Sequence, residues 1–279
     1  MTDQPSITID GATIPLLGFG TWQLEPEDAR RMVGEALRIG YRHIDTAKIY
    51  NNEEAVGEAI RASGLPRDEI FLTTKIWVDD FHEGDLQRAA EASVKRLGME
   101  PDLLLLHWPK PDPSFAESLG ALNDARRRGL TRLIGLSNFP SREFRAAQAV
   151  SEARLVTNQV EYHPYLRLNA LLRTARELGS SITAWSPLAQ GQVADDPVIG
   201  EIAAAHGKTP GQVTLRWFVQ QQVIAIPRTQ KESRARENFD ILDFELSDEE
   251  MGRIHALARP DGRLGDWIDP AFQWDQDEA

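Results

Sequence analysis

The sequence predicts an α/β fold, specifically a (β/α)8 TIM barrel with an N-terminal β-hairpin across its bottom and extra helices near the C-terminus. Three observations carry that expectation. Eight apolar runs of strand length alternate with amphipathic stretches along most of the chain. The runs are separated by helical crossovers, so the strands must lie parallel, and eight such units in 279 residues suit a closed barrel better than a doubly wound sheet. No linker interrupts the alternation, so residues 1–279 read as a single domain.

Taken in order, the first element is the hairpin. Ser6-Ile-Thr-Ile alternates up to Asp10-Gly11, a strong two-residue turn signal, and Ala-Thr-Ile-Pro15 alternates after it. It precedes the first barrel strand, so it is expected to floor the barrel and leave chemistry to the opposite end. Barrel strands are expected at 16–20, 42–45, 70–75, 103–107, 133–137, 157–160, 181–185 and 223–227. Helices are expected at 27–39, 53–63, 85–97, 114–128, 141–151 and 169–178, then one longer stretch at 197–221, and one at 231–240. Thr209-Pro210-x-Gln212 places proline at the first position of a capping box, and Ser247-x-x-Glu250 opens a last helix with the same box.

Composition narrows the function. With 31 Lys+Arg against 43 Asp+Glu the formal charge is −12, which opposes binding to nucleic acid or to an anionic bilayer. The absence of cysteine excludes disulfides, thiolate metal sites and cysteine nucleophiles. No apolar run is long enough to span a membrane and the N-terminus lacks a signal pattern, so a cytoplasmic protein is the expectation, and a monomer is the default. Gly18-Phe-Gly20 follows a strand, but the third glycine of a dinucleotide fingerprint would fall on Gln23 and no helix opens at once, so a Rossmann site is a poor reading.

Barrel enzymes place their chemistry at the C-terminal strand ends. Here the second strand ends in Asp45 with Tyr50 five residues on, the third ends in Lys75, and the fourth stops at His107. Each has an ordinary structural explanation alone: an ion pair, a packed ring, a histidine bonded to backbone. Together on three adjacent strands they point to carbonyl chemistry. Lys75, kept charged by Asp45, is expected to depress the pKa of Tyr50, which then protonates a carbonyl oxygen that His107 also hydrogen-bonds. No histidine pattern and no thiolate supports a metal site, so the attack on carbon is expected from a nicotinamide hydride. Later strand ends suit such a cofactor. Ser137-Asn138 and Gln159 can hold a carboxamide, Trp185 can stack on a flat ring, and 227–238 brings Arg228, Lys231, Arg234 and Arg236 to the usual phosphate site of barrels.

These segments resemble the aldo-keto reductases from Leu16 to about Asp261. The residues that carry the likeness are Gly20-Thr21-Trp22, Gly40-Tyr-Arg-His-Ile-Asp45-Thr-Ala-Lys-Ile-Tyr50-x-Asn-Glu53, Thr74-Lys75-Ile-Trp77, Leu106-His107-Trp108-Pro109, Gly135-Leu-Ser137-Asn138-Phe139, Asn158-Gln159-Val-Glu161 and Ile226-Pro227-Arg228 to Asn238. The resemblance implies a barrel that uses NADP(H) to reduce aldehydes or ketones, with Asp45, Tyr50, Lys75 and His107 as catalytic tetrad and Tyr50 as general acid. It further implies that Gly20, Thr21, Trp22 and Asp45 flank the cofactor and that Ser137, Asn138 and Gln159 bind the carboxamide. Trp185 stacks on the nicotinamide where many members carry tyrosine. Ser186, Leu188 and Gln190 would line the pyrophosphate, Glu237 and Asn238 the adenine, and Arg228, Thr229 and Arg234 the 2′-phosphate. Arg228 stands where lysine is more common and keeps the charge with added bidentate geometry. Substrate is expected among Trp22, Lys48, Tyr50, Trp77, His107 and Trp108, with Trp267 and Ile268 adding to the wall. Lys48, unusual at its position, is expected to favour anionic substrates. Within the family the chain looks most like the bacterial 2,5-diketo-D-gluconate reductases, some of which also reduce methylglyoxal. A Schiff-base role for Lys75 and an NADPH-binding sensor with little turnover are the alternative readings.

Overall fold

The computed structural model describes residues 4–110, 112–265, 274 and 275. The hairpin forms as the alternation requires. Strands β1 (Ser6–Ile9) and β2 (Ala12–Pro15) pair antiparallel from Ser6↔Pro15 to Ile9↔Ala12, and Asp10 and Gly11 take φ of 50° and 74°, the left-handed pair that a tight hairpin turn needs. Ala12 and Ile14 turn into the core. The Pro15 carbonyl lies 3.4 Å from Nδ1 of His43, the first residue of a barrel strand, so the hairpin covers the N-terminal end of the barrel.

Eight strands follow: β3 (Phe19–Gly20), β4 (His43–Asp45), β5 (Phe71–Ile76), β6 (Leu103–Leu106), β7 (Leu133–Ser137), β8 (Leu155–Glu161), β9 (Ser181–Trp185) and β10 (Ile224–Ala225). Each pairs in parallel with its neighbour in chain order. The first and last close the barrel: the Ala225 amide donates to the Leu16 carbonyl at 2.8 Å, the Gly18 amide to Ala225 at 2.8 Å, and the Gly20 amide to Pro227 at 3.1 Å. Regular strand at these two positions is shorter than the apolar runs suggested, although the bonds between 16–20 and 225–227 continue the ladder. Residues Leu103–Leu106 are buried throughout, as expected of a strand covered on both faces.

The helices are α1 (Pro26–Ile39), α2 (Glu53–Ala62), α3 (Asp85–Leu97), α4 (Phe115–Arg127), α5 (Ser141–Val150), α6 (Asn169–Leu178), α7 (Pro197–His206), α8 (Pro210–Gln220), α9 (Glu232–Phe239) and α10 (Asp248–His255). The long helix expected at 197–221 is two helices. Gly207 terminates α7 with φ of 63°, Thr209 is extended before Pro210, and the Thr209–Gln212 capping box starts α8. Proline cannot continue a helix from the preceding turn but fits the first position of a new one. One continuous hydrophobic core joins hairpin, barrel and helices. Among the described residues no helix is long and apolar enough to cross a membrane.

Candidate active site

Three neighbouring strands build the centre. Asp45 ends β4, Lys75 lies near the end of β5, and His107 directly follows β6, so parallel registration brings their side chains to one end of the barrel. Tyr50 reaches it from a single 3-10 turn, Lys48–Tyr50, that follows β4. That turn is held from below by Asn52, which donates to the carbonyls of Thr21 at 2.9 Å and Leu24 at 3.0 Å and accepts from the Thr46 hydroxyl at 2.7 Å. Thr21 in turn bonds the Asp45 carbonyl through its own hydroxyl at 3.0 Å.

Lys75 is fully buried and its ammonium is completely used. It donates to Asp45 Oδ1 at 2.6 Å, to the Thr46 carbonyl at 2.8 Å and to the Tyr50 hydroxyl at 3.4 Å. The other Asp45 oxygen accepts from Gln159 Nε2 at 2.7 Å, so the buried carboxylate is satisfied on both sides. Burial works against the Lys75 charge, but Asp45 and Tyr50 outweigh it and hold the pKa above the ordinary lysine value. An amine held as ammonium with three partners is a poor Schiff-base nucleophile.

The electrostatics of Tyr50 differ from the sequence expectation. Burial raises its pKa more than Lys75 lowers it, and Asp45 adds to the rise, so the net shift is upward rather than downward. The phenol is therefore protonated at neutral pH, with Lys75 poised to stabilise the phenolate once its proton leaves. Burial and the Lys75 charge both push His107 well below its ordinary pKa, which keeps the imidazole neutral. Its ring packs edge-on against Tyr50 and Trp77, with centroids 5.8 and 5.2 Å away, and its Nδ1 is buried without a hydrogen-bond partner among the described residues.

From this centre a cleft of about 1010 Å³ runs across the C-terminal end of the barrel. Gly20, Trp22, Asp45, Tyr50, Trp77, His107, Trp108, Ser137, Asn138, Gln159, Trp185, Ser186, Leu188, Gln190, Arg228, Thr229, Arg234, Glu237 and Asn238 all line it. Gly20 is required by close approach, since a Cβ there would stand 2.9 Å from the Ile226 carbonyl oxygen. Four residues singled out in the sequence do not line the cleft. Thr21 is buried behind it, Lys48 is paired with Asp80, Arg236 is paired with Glu232 at 2.7 Å, and Lys231 stands at the N-cap of α9 without reaching the cleft. Trp267 and Ile268 lie outside the described residues.

The middle of the cleft is preorganised by bonds among its polar groups. Ser137 Oγ donates to the Gln159 carbonyl at 2.8 Å, and Asn138 Nδ2 donates to Ser137 Oγ and to the His107 carbonyl, both at 3.0 Å. Asn138 sits at φ of 66° and accepts the Trp185 indole N–H at 2.9 Å, which fixes the plane of that half-buried ring. Behind Trp185 lies Gly265, where a Cβ would stand 2.5 Å from the indole. The segment 263–265 is pinned there by the fully buried Glu161, which accepts from the Leu264 amide at 2.6 Å, the Gly265 amide at 3.0 Å and His163 Nε2 at 3.0 Å. At the far end Arg228 donates to the Trp22 carbonyl at 3.0 Å and to Gln23 Oε1 at 2.9 Å, and Arg234 pairs with Glu237 at 2.9 Å.

Sequence reasoning passed over several lining residues, among them Gln23, Ile49, Gly191 and the stretch 209–211. By sequence Thr209 is a helix cap. Its hydroxyl also donates to Glu237 Oε1 at 2.7 Å, which ties the start of α8 to the cleft. The capping box was the available signal, but it marks a helix start without saying which way that start faces.

A nicotinamide dinucleotide fits this arrangement on the structure's own terms. The cleft offers amide and hydroxyl groups beside a flat indole in its middle and a cationic segment before α9 at one end. Among the described residues no cluster of three acidic or histidine side chains could hold a metal.

Known proteins give the same answer about the class. Residues 16–259 match the Aldo/keto reductase family. The chain belongs to that family of oxidoreductases. It is 41% identical over 258 residues to a glyoxal reductase of Bacillus subtilis, covering 92% of this chain and 93% of that one. A solved structure with the provisional description 2,5-diketo-D-gluconic acid reductase B superposes with a TM-score of 0.95 at 47% identity, over 98% of each chain. A single-residue mutant of Gox0644 in complex with NADPH superposes with a TM-score of 0.89 at 37% identity, covering 94% of this chain and 96% of that one.

Proposed function

We propose that this protein is an NADPH-dependent carbonyl reductase acting on small polar aldehydes and ketones, of the kind represented by methylglyoxal and 2,5-diketo-D-gluconate. The observation that carries the reading is the buried Asp45–Lys75 pair aimed at the Tyr50 hydroxyl, next to a neutral His107. A bound reduced nicotinamide would supply the hydride that the carbonyl carbon takes up. Tyr50 delivers its proton to the carbonyl oxygen as negative charge builds there. Lys75 stabilises the phenolate left behind, and Asp45 and Gln159 keep the ammonium in place. His107 orients the same oxygen by hydrogen bonding.

Ser137, Asn138 and Gln159 would hold the carboxamide and Trp185 the face of the ring. Arg228, Thr229 and Arg234 would recognise the 2′-phosphate, which favours NADPH over NADH. Trp22, Trp77 and Trp108 wall an aromatic, open pocket that suits compact carbonyls. The relatives and neighbours support the same substrate range, being described as reductases of glyoxal and of diketogluconate. Oxidation of NADPH and of NADH is to be followed by cofactor absorbance with methylglyoxal, 2,5-diketo-D-gluconate, glyceraldehyde and an aromatic aldehyde. Turnover of at least one small carbonyl with NADPH in clear preference to NADH is expected, and no turnover across the panel would contradict the reading.

A further inference from the structure

We infer that Asp80 sets the charge preference of the substrate pocket, by neutralising Lys48 so that the pocket favours uncharged carbonyls over carboxylate-bearing ones. The inference rests on the reductase reading and narrows its substrate class, from a range that includes the anionic 2,5-diketo-D-gluconate to uncharged carbonyls such as methylglyoxal. Lys48 begins the turn that carries Ile49 and Tyr50 to the cleft, and Asp80 ends the turn, Val78–Asp80, that follows Trp77. Their side chains meet in an ion pair that is about two-thirds shielded or more on each side, with side-chain exposures of 33% and 25%. The pair thus joins two rim turns of the pocket and cancels the charge of the lysine two residues before the proposed general acid.

The other cations around this end are also compensated. Lys110, two residues beyond Trp108, approaches Asp79 at 3.9 Å and donates to the Val78 carbonyl at 3.4 Å. Arg263 lies 3.7 Å from the centre of the Trp274 ring, itself 6.1 Å from Trp108, and contacts Glu161 at 3.4 Å. Lys75 is paired with Asp45 and His107 is neutral. Arg228 and Arg234 belong to the segment after β10 that the proposed cofactor phosphate occupies. Among the described residues, Lys48, Lys75, Lys110 and Arg263 at this end each already have an acidic partner when a substrate carboxylate enters.

Removing the negative partner should unmask Lys48. Methylglyoxal and glyoxylate are compact carbonyls that differ mainly in charge. In Asp80→Asn, kcat/KM for glyoxylate relative to methylglyoxal is expected to rise by about three- to tenfold, the scale of one partly screened charge interaction. Methylglyoxal turnover should stay within about twofold on the same scale. Asp80→Glu should keep the original ratio, and the double variant Lys48→Met with Asp80→Asn should return to it. An unchanged ratio in Asp80→Asn, or an equal rise in the double variant, would overturn the inference. Failure of the unaltered protein to reduce any carbonyl of the panel, methylglyoxal included, would count against the reductase reading alone. The role of Asp80 is then read from oxamate binding, followed by quenching of tryptophan fluorescence, which must tighten in Asp80→Asn and relax again in the double variant.

Discussion

Asp45 and Lys75 are 2% and 0% exposed, and a buried ion pair rarely improves stability over apolar residues of the same size. In the proposed reaction the pair acts through Tyr50: it supplies a positive charge that cannot leave, beside a phenol that would give up a proton. The buried histidines have a separate consequence for pH. Burial lowers the pKa of His43, which bonds Thr73 Oγ1 at 3.2 Å, and burial with Lys75 lowers that of His107. Above about pH 6.5 both are neutral whether folded or unfolded. Below it the unfolded chain takes up protons that the folded chain refuses, so stability falls as pH drops, by up to about 1.4 kcal/mol per unit for each histidine. Denaturant unfolding at pH 7.5 and 5.5 checks this. His43→Gln should show a shallower loss than the parent, and an identical loss would remove His43 from the account. At this scale the sequence showed which residues meet, through strand ends and the five-residue step from Asp45 to Tyr50. It did not show how far the barrel excludes water, and for that reason the upward shift of Tyr50 was not legible.

Helices α2 and α3 illustrate how elements are spaced. Gly57 in α2 faces the backbone of Leu97 at the end of α3, and a Cβ there would fall well inside van der Waals contact with the Leu97 carbonyl. Alanine is the better helix former by about 1 kcal/mol, yet overpacking against a backbone atom costs about 1–3 kcal/mol or more. Gly57→Ala is accordingly expected to lower the unfolding free energy, as measured by denaturant titration, and a stabilised variant would show that the two helices can separate freely. The existence and order of the elements were legible because period and turn chemistry agree, as in Asp10-Gly11 and the box at Ser247. Lengths were less so. The apolar pattern runs through 197–221, and what divides it is the left-handed Gly207 and the Thr209–Gln212 box with Pro210, local signals that a reading by hydrophobic pattern overrides. Glu161 was read as part of a motif, and its role in seating 263–265 behind Trp185 depends on a contact across about a hundred residues of chain.

For the whole molecule the net charge of −12 is compensated only locally. Lys75 faces the proposed proton donor, Arg228 and Arg234 face the proposed phosphate end, and Lys48, Lys110 and Arg263 near the pocket are paired with acidic residues. The barrel supplies the reason these groups converge, since parallel strands deliver their ends to one face whatever the loops contain. Family membership and fold are fixed by the match over residues 16–259, whereas the reaction assigned to this chain depends on Tyr50. The most direct test measures NADPH affinity and carbonyl turnover side by side in the parent and in Tyr50→Phe. The account predicts unchanged NADPH binding with kcat lowered by about 10²–10⁴, the usual contribution of a general acid. Turnover within a few-fold of the parent would contradict it.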